Sequence, residues 1–193
     1  AMNEFRYIVG VDESVQAGLS LWDAKIREYI ELYYDGNREN AQDTDFYRCI
    51  SKTTEITNNL IEKEDSFRGV IDDQGLLAAI CLIQETSFLL DEELTDCLEI
   101  ESLTNSPFNT IDFPVLEKRK GAATSLVEGI IRESREEGLP NILKLIPVPN
   151  AIEFYQGIGF EETDISGDMI LEYNAASMFL LDLEQKRNSA SFD

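Results

Sequence analysis

Two kinds of apolar spacing alternate along this chain of 193 residues, and they constrain its fold more than any other feature. Apolar side chains recur at steps of three and four over residues 15–33, which is the period of a helix. Residues 67–71 and 76–84 are instead short, continuous apolar runs, which are typical of buried strands. Strands that alternate with amphipathic helices favour an α/β fold with a mixed central sheet and helices on both faces.

Start, stop and turn residues place the individual elements. Asp12 is a predicted N-cap for the first helix, which ends near Gly36, and residues 72–75 predict a hairpin turn. The predicted order is strand 4–11, helices 13–35 and 46–61, strands 67–71, 76–84 and 97–103, helix 121–138, strand 141–148, a short helix ending at Gly157, and two strands within 160–183, the last being 178–183.

The chain shows no internal repeat and no linker rich in Pro, Gly or Ser. A chain of this length is expected to form one domain with a substantial core. We therefore predict a single domain over residues 3–184, followed by a polar, frayed tail over residues 185–193.

Histidine is absent, and 38 acidic residues against 16 basic ones give a net charge of −22. The lack of histidine excludes histidine-based triads, proton shuttles and metal ligands, so carboxylates, Tyr, Cys, Lys or water must do any acid–base work. The negative charge opposes binding to nucleic acid or to an anionic membrane, because both require Lys and Arg.

The three cysteines, Cys49, Cys81 and Cys97, show no C-x-x-C spacing. We expect neither a disulfide framework nor a metal site, and Cys81, within an apolar run, is expected to be a core residue. No secretory leader or stretch of about 20 apolar residues is present, so we expect a cytoplasmic location. The sequence does not decide between a monomer and a homodimer.

Basic residues are missing between Arg68 and Lys118, and then Lys118, Arg119 and Lys120 follow one another. They directly precede residues 121–124, a small-residue helix start with the sequence Gly121, Ala122, Ala123, Thr124. We call residues 118–124 the basic turn. A helix N-terminus offers unpaired N–H groups and a positive dipole end, so the basic turn is a candidate pyrophosphate site. The alternative is a solvated charge run before an ordinary helix.

A second motif lies about 30 residues further on, within residues 151–160, and has the pattern A-x-x-F-Y-x-x-x-G-F. Together with the basic turn, it resembles the GCN5-related N-acetyltransferase superfamily. The resemblance covers residues 98–160 well, and the N-terminal third only by its order of elements. It implies the acyl-CoA N-acyltransferase fold and acetyl-CoA as cosubstrate, with no metal.

The resemblance also implies binding residues. The family's pyrophosphate motif falls on Lys118, Gly121 and Ala123, with Lys in place of the usual Gln or Arg, and N–H groups from Arg119 to Thr124 would hold the pyrophosphate. Leu103 and Thr104 would pair with the pantetheine arm, and the Leu103 N–H would meet the thioester oxygen. The stretch 107–121 is longer than is usual in the family, so we expect an extra loop near the site.

Acyl transfer to an amine requires a proton acceptor for the amine and a proton donor for the thiolate. Tyr155 stands where many family members have the acid, although it could instead only pack on the cofactor or the core. Glu99 and Glu101 share one face of their strand and are candidates for the base, with Glu101 preferred. The alternative is that this face is simply solvated or ion-paired.

Asn150 has two interpretations. Glu153 follows three residues later, which is the spacing of a capping box and favours a helix cap. Asn150 is also a cofactor-binding candidate, but the family's Asn lies three residues before the motif alanine, a position that is Val148 here. Capping is therefore the preferred role.

The expected function is transfer of an acetyl group from acetyl-CoA to a primary amine by direct attack. The acid-only stretch 69–117 favours a cationic acceptor, either a small molecule or a peptide, and neither nucleic acid nor membrane is an expected partner. One alternative is a non-catalytic acyl-CoA-binding sensor or interaction domain. Another is an α/β domain that holds a different anion at Gly121.

Overall fold

A computed structural model describes residues 4–164 and 167–191 of the chain. Its strands are β1 Arg6–Val9, β2 Phe67–Ile71, β3 Leu77–Leu90, β4 Glu93–Asn105, β5 Leu143–Leu145, β6 Glu161–Glu162 and β7 Met169–Leu171. Its helices are α1 Glu13–Tyr33, α2 Asp45–Asn58, α3 Pro107–Thr110, α4 Ala122–Glu136, α5 Ile152–Ile158 and α6 Tyr173–Ala190.

The strands pair in the order β1-β2-β3-β4-β5-β7-β6. β4 pairs with β5 in parallel, with Leu98 opposite Leu143, whereas β1 with β2, β2 with β3, β5 with β7, and β6 with β7 are antiparallel. The sheet is thus mixed and accompanied by helices, which confirms the predicted α/β fold class. β3 and β4 are both longer than predicted, because residues 85–90 and 93–96 form strands although they lack a continuous apolar run.

The chain forms two compact units. The N-terminal unit comprises residues 4–82 and 102–126, and the C-terminal unit comprises residues 83–101, 127–164 and 167–191. The single domain over 3–184 therefore stays a prediction. Its first residue and the last two residues of the predicted tail lie outside the described part of the chain.

In the N-terminal unit, α1 is fixed against the start of β3. Asp12 caps the helix as predicted, because its Oδ1 accepts a hydrogen bond from the Val15 N–H at 2.9 Å. Fully buried Trp22 donates its Nε1–H to the Leu77 carbonyl at 2.7 Å. Gly18 permits this close approach, since a Cβ there would lie 2.7 Å from the Leu77 Cβ. The core beneath is apolar and aromatic, with Phe46 and Phe108 fully buried.

The C-terminal unit contains one clear correction to the predicted elements. Residues 178–183, predicted as the final strand, belong to α6, and the helix continues to Ala190, through most of the predicted tail. Ala176, Phe179 and Leu183 are buried at steps of three and four, while Met178 and Leu181 are exposed. Because Met178 and Leu181 are apolar although exposed, residues 178–183 form a continuous apolar run, which is the pattern of a buried strand.

The predicted capping role of Asn150 is also wrong. Residues Pro149–Ala151 form a 3-10 turn, and the N-cap of α5 is Ala151, which makes no side-chain cap hydrogen bond. Pro149 opens this turn and thereby moves the helix start past Asn150. No helix within residues 4–164 and 167–191 is long and apolar enough to cross a membrane.

Candidate active site

The predicted site residues are divided between the two units. Leu103, Thr104 and the basic turn belong to the N-terminal unit. Glu99, Glu101, Asn150 and Tyr155 belong to the C-terminal unit.

β4 contains a bulge at Ser102. The Leu98 N–H donates to the Ile142 carbonyl, beside β5, whereas the Ser106 N–H donates to the Ala78 carbonyl of β3, both at 2.8 Å. In a regular strand, residues an even number apart face the same neighbour, so the alternation must change between these positions. Ser102 has a φ of 56°, which marks the place. From here on, odd-numbered residues face away from β3.

The bulge determines where the Leu103 backbone points. Its N–H and C=O lie on the side of β4 away from β3, while those of Thr104 lie towards β3. The Leu103 carbonyl accepts a hydrogen bond from the Lys52 Nζ at 2.8 Å. The Thr104 hydroxyl donates to the Asn105 carbonyl at 2.8 Å. Leu103 thus has the orientation that the predicted thioester contact needs, and Thr104 has the opposite one.

The start of α4 offers backbone donors. Gly121 has a φ of 94°, a conformation that favours glycine, and the helix begins at the next residue. The N–H groups of Ala122, Ala123 and Thr124 make no hydrogen bond within the described parts of the chain. Free N–H groups at the positive end of a 15-residue helix can bind an anion such as pyrophosphate.

Two of the three bases of the basic turn, Lys118 and Arg119, already have hydrogen-bond partners within the N-terminal unit. Lys118 Nζ donates to the Phe113 carbonyl at 3.2 Å. Arg119 Nε donates to Asp73 at 2.9 Å, and the Arg119 N–H donates to Asn109 Oδ1 at 2.7 Å. Lys120 is exposed. The Arg119 N–H is therefore already occupied in this conformation, which leaves the N–H groups of α4 and the Lys120 side chain to meet an anion.

The loop over residues 111–120 is held against α1. The Phe113 ring stacks on Tyr33 with centroids 4.1 Å apart and planes 7° apart. Glu117 accepts a hydrogen bond from Lys25 Nζ at 3.0 Å, and this contact lowers the pKa of Glu117. The extra loop expected near the basic turn is thus ordered by specific contacts.

In the C-terminal unit, Glu99 forms an ion pair instead of standing free. Lys144 Nζ lies 3.3 Å from Glu99 and 3.6 Å from Asp168. Burial alone would lower the pKa of Lys144, but the two carboxylates raise it. Glu99 and Lys144 are register partners on β4 and β5, which puts their side chains on one face. The ion-paired alternative therefore holds for Glu99.

Tyr155 is buried within α5. Its ring packs edge-on against Phe154 and Phe160, at centroid distances of 5.1 and 5.5 Å. Glu101 is half-buried on β4. The aromatic packing fixes the Tyr155 ring, and the acid and base roles of these two residues stay predictions.

The cysteines are buried, as expected for core residues. Burial raises the pKa of Cys97 to about 11 and also raises the pKa of Cys49. A thiol with a raised pKa is a poor nucleophile at neutral pH. Among the residues that the structure describes, no group of three or more potential ligands could hold a metal ion.

Sequence reasoning missed Lys52 and Lys144. Lys52 lies 51 residues from its hydrogen-bond partner, in a helix whose polar positions look solvated. Lys144 stands in an apolar strand and is 8% exposed. A charged residue within an apolar strand indicates a buried ion pair. The sequence contained this signal for Lys144.

Comparison with known proteins yields similar folds but no sequence family. No protein-family model matches the sequence, and no curated protein matches it either. A putative acetyltransferase from Exiguobacterium sp. 255-15 is similar in structure, with a TM-score of 0.51 and 15% identity over 90% of this chain and 97% of that chain. A GCN5-related N-acetyltransferase from Anabaena variabilis has a TM-score of 0.50 and 16% identity over 83% of this chain. The match spans 32% of the length of the Anabaena protein.

The protein AtaT is also similar. Its complex with acetyl-methionyl-tRNAfMet has a TM-score of 0.52 and 10% identity, over 68% of this chain and 86% of that chain. A variant of AtaT bound to the C-terminus of the antitoxin AtaR and acetyl-CoA has the same TM-score and identity, and covers 68% of this chain and 84% of that chain. Identities this low establish the fold alone: the chain has the fold of the GCN5-related N-acetyltransferases.

Proposed function

We propose that this protein is an acyl-CoA-dependent N-acetyltransferase that transfers an acetyl group from acetyl-CoA to a primary amine. The observation that carries the proposal is the Ser102 bulge, which directs the Leu103 N–H and C=O away from β3. An extended ligand arm with amide groups can pair with such a strand edge as an additional strand would. The acetyl-CoA-bound structure of AtaT, which shares this fold, supports the choice of cosubstrate.

The start of α4 supports the same ligand. The N–H groups of Ala122, Ala123 and Thr124, which make no hydrogen bond to the described residues, and the exposed Lys120 offer an anion site on the same unit as Leu103. Coenzyme A combines a pyrophosphate with an amide-containing arm, so both features match parts of one molecule. Leu103, Gly121, Ala122, Ala123 and Thr124 are the residues that we propose bind it, with Lys118 and Arg119 shaping the turn.

The reaction that we propose is direct attack. The acceptor nitrogen attacks the thioester carbonyl carbon, the C–N bond forms, the C–S bond breaks, and the thiolate takes up a proton. The Leu103 N–H would stabilise the negative charge that develops on the carbonyl oxygen. No covalent enzyme intermediate is needed, and the buried thiols of Cys49 and Cys97, with their raised pKa values, are unsuited to forming one.

We assign the proton donor to Tyr155 and the proton acceptor to Glu101. Glu101 is preferred over Glu99, because Glu101 lies two residues before Leu103 in the sequence. The assignment is tested with Tyr155→Phe and with Tyr173→Phe, a matched control at an exposed tyrosine of α6. We expect kcat to fall by about 10²–10⁴-fold in the first variant and to be unchanged in the second.

A cationic acceptor is the second part of the proposal. Part of the acid-only stretch lies on β3, on β4 and in the turn between them. Five carboxylates there are exposed: Glu85, Asp91, Glu92, Glu93 and Asp96. We expect the KM for the true acceptor to rise with added salt, since salt screens the attraction between exposed charges. A KM that is the same at 20 and 500 mM salt would contradict a cationic acceptor.

The first experiment is a thermal shift with acetyl-CoA, followed by a thiol-release assay over a panel of amines. A rise in Tm with acetyl-CoA and release of thiol with at least one amine support the proposal. A rise in Tm without turnover on any amine favours a non-catalytic acyl-CoA sensor. No change in Tm would instead favour a different anion at Gly121.

A further inference from the structure

Lys52 differs in its polar contacts from Lys25 and Lys144, two other partly buried lysines. Lys25 pairs with Glu117 and Lys144 with Glu99, but Lys52 has no carboxylate within ion-pair distance among the described residues. Its single polar contact there is the hydrogen bond from Nζ to the Leu103 carbonyl, at 2.8 Å. A lysine held in this way lacks the close ion pair that would most strongly stabilise its charged form.

The surroundings of Lys52 favour the neutral amine. Burial lowers the pKa of Lys52, and the positive charge of Arg48, one turn earlier on α2, lowers it further. The carboxylates of Asp45 and Glu55, at the two ends of the same helical segment, oppose this only in part. The neutral fraction at a given pH is thus larger for Lys52 than for an unperturbed lysine, and only the neutral amine is a nucleophile.

Lys52 also lies on the correct side of β4. The N–H and C=O of one residue in a strand point to the same side, so the Nζ at the Leu103 carbonyl is on the side to which the Leu103 N–H points. That N–H is the group that would hold the thioester oxygen. On this basis, which rests on the proposed function, we propose that Lys52 is a self-acetylation site of this protein, with acetyl-CoA as the donor.

The reaction is balanced with acetyl-CoA alone. The lone pair of the Lys52 Nζ attacks the thioester carbonyl carbon, so that a C–N bond forms and the C–S bond breaks. The nitrogen loses one proton, the thiolate gains one, and the products are Nε-acetyl-lysine and free coenzyme A. The modification removes the charge of Lys52 but leaves one N–H, which can still donate to the Leu103 carbonyl.

The experiment uses the full chain and mass spectrometry. Protein is incubated with acetyl-CoA, and acetylation of Lys52 and of Lys186 is followed by peptide mapping. Lys186 is exposed on α6 and reports chemical acetylation without a binding site. We expect Lys52 to be acetylated at least tenfold faster than Lys186. With N-acetoxysuccinimide, a small donor that lacks the coenzyme A moiety, we expect the opposite order, because Lys186 is more exposed.

Lys52→Arg is the matched variant. Arginine keeps a cationic donor for the Leu103 carbonyl, and circular dichroism checks that the variant folds. It should lose the acetylation at position 52, while the slow acetylation of Lys186 should be unchanged.

Two outcomes would overturn the inference, and they are distinguishable. If acetyl-CoA raises the Tm and thiol is released with at least one amine, but Lys52 reacts no faster than Lys186, self-acetylation is wrong and the proposed function stands. If acetyl-CoA does not raise the Tm and Lys52 again shows no preference, the proposed function fails together with the inference.

Discussion

Glu128→Gln tests the ionic cluster that joins α4 to α6 in the C-terminal unit. Glu128 Oε1 accepts from Arg187 Nη2 at 2.5 Å, and Oε2 accepts from Arg187 Nη1 at 2.7 Å and from Arg132 Nη2 at 3.1 Å. The Glu128 side chain is 10% exposed, whereas those of Arg187 and Arg132 are 44% and 49% exposed. A buried carboxylate is therefore matched by two half-exposed guanidinium groups.

The expected magnitude follows from this geometry. A hydrogen bond to a charged group contributes about 1.5–3 kcal/mol, whereas an exposed ion pair contributes about 0–1 kcal/mol. Because the carboxylate is buried and the arginines are half exposed, we expect Glu128→Gln to lower the free energy of unfolding by about 2 kcal/mol. For a chain of this size, that corresponds to a fall in Tm of about 4–8 °C.

The effect should depend on pH. Burial alone would raise the pKa of Glu128, but the hydrogen bonds from Arg187 and Arg132 outweigh it and lower the pKa. A carboxyl with a lowered folded-state pKa stabilises the fold above its unfolded pKa, about 4.3, and this stabilisation is lost as the pH falls through the folded-state pKa. The difference in Tm between wild type and Glu128→Gln should thus be full at pH 7 and begin to shrink below about pH 4.3.

Thermal unfolding followed by circular dichroism at several pH values is the assay. Glu184→Gln, at an exposed carboxylate of the same α6, is the matched control and should leave the Tm within about 1 °C, since surface substitutions change stability little. An equal fall in Tm for the two variants would refute the reasoning. A difference that persists unchanged at acidic pH would refute the assigned role of the charge.

Two further variants test the N-terminal unit. Gly121→Ala places a side chain at a φ of 94°, so we expect a loss of about 1–2 kcal/mol and a smaller Tm rise with acetyl-CoA. Gly75→Ala, at a φ of 81° in the β2–β3 turn, should cause a similar loss but keep the acetyl-CoA response. Phe113→Ala removes the ring stacked on α1, so limited proteolysis should cut residues 111–120 faster. Leu116→Ala, at a side chain 92% exposed in that loop, should not change the rate.

The parts of the fold that the sequence predicted well are those in which local periodicity and burial agree. The first helix has one apolar face, and Val15, Leu19 and Trp22 are buried at the expected spacing. Its N-cap was predictable because Asp12 acts on a neighbour three residues away. Local interactions of this kind can be inferred from the sequence without knowledge of the tertiary fold.

α6 shows where the same reasoning fails. Met178 and Leu181 are exposed, and their apolar character outweighed the helical spacing of the buried Ala176, Phe179 and Leu183. The bond from Arg187 to Glu128 joins residues 59 positions apart, and no local pattern could indicate that the polar segment 185–190 continues the helix. Tertiary contacts thus decided both the type and the length of this element.

The predicted site residues show a similar division. The start of α4 within the basic turn could be predicted because charged and small residues are adjacent in sequence there, whereas its role as an anion site stays a prediction. The Ser102 bulge was not, because a single serine between Glu101 and Leu103 fits a regular strand equally well. The structure also changes which groups of the basic turn we expect to meet an anion. Lys118 and Arg119 donate to carbonyl groups of the loop over residues 111–120, so we expect the positive end of α4 to contribute more to anion binding than the sequence indicated.

Binding through backbone groups would be compatible with a sequence that matches no family model. The features that we assign to acetyl-CoA are the N–H and C=O of Leu103 and the N–H groups of Ala122, Ala123 and Thr124. Such groups require a bulge and a glycine at a positive φ, but almost any side chain can present them. Side chains are needed only where protons move or where the acceptor is chosen. We therefore expect this protein to differ from others of the same fold at Glu101 and Tyr155, which we propose move protons, and at Lys52, and less at the residues that we propose bind the cosubstrate.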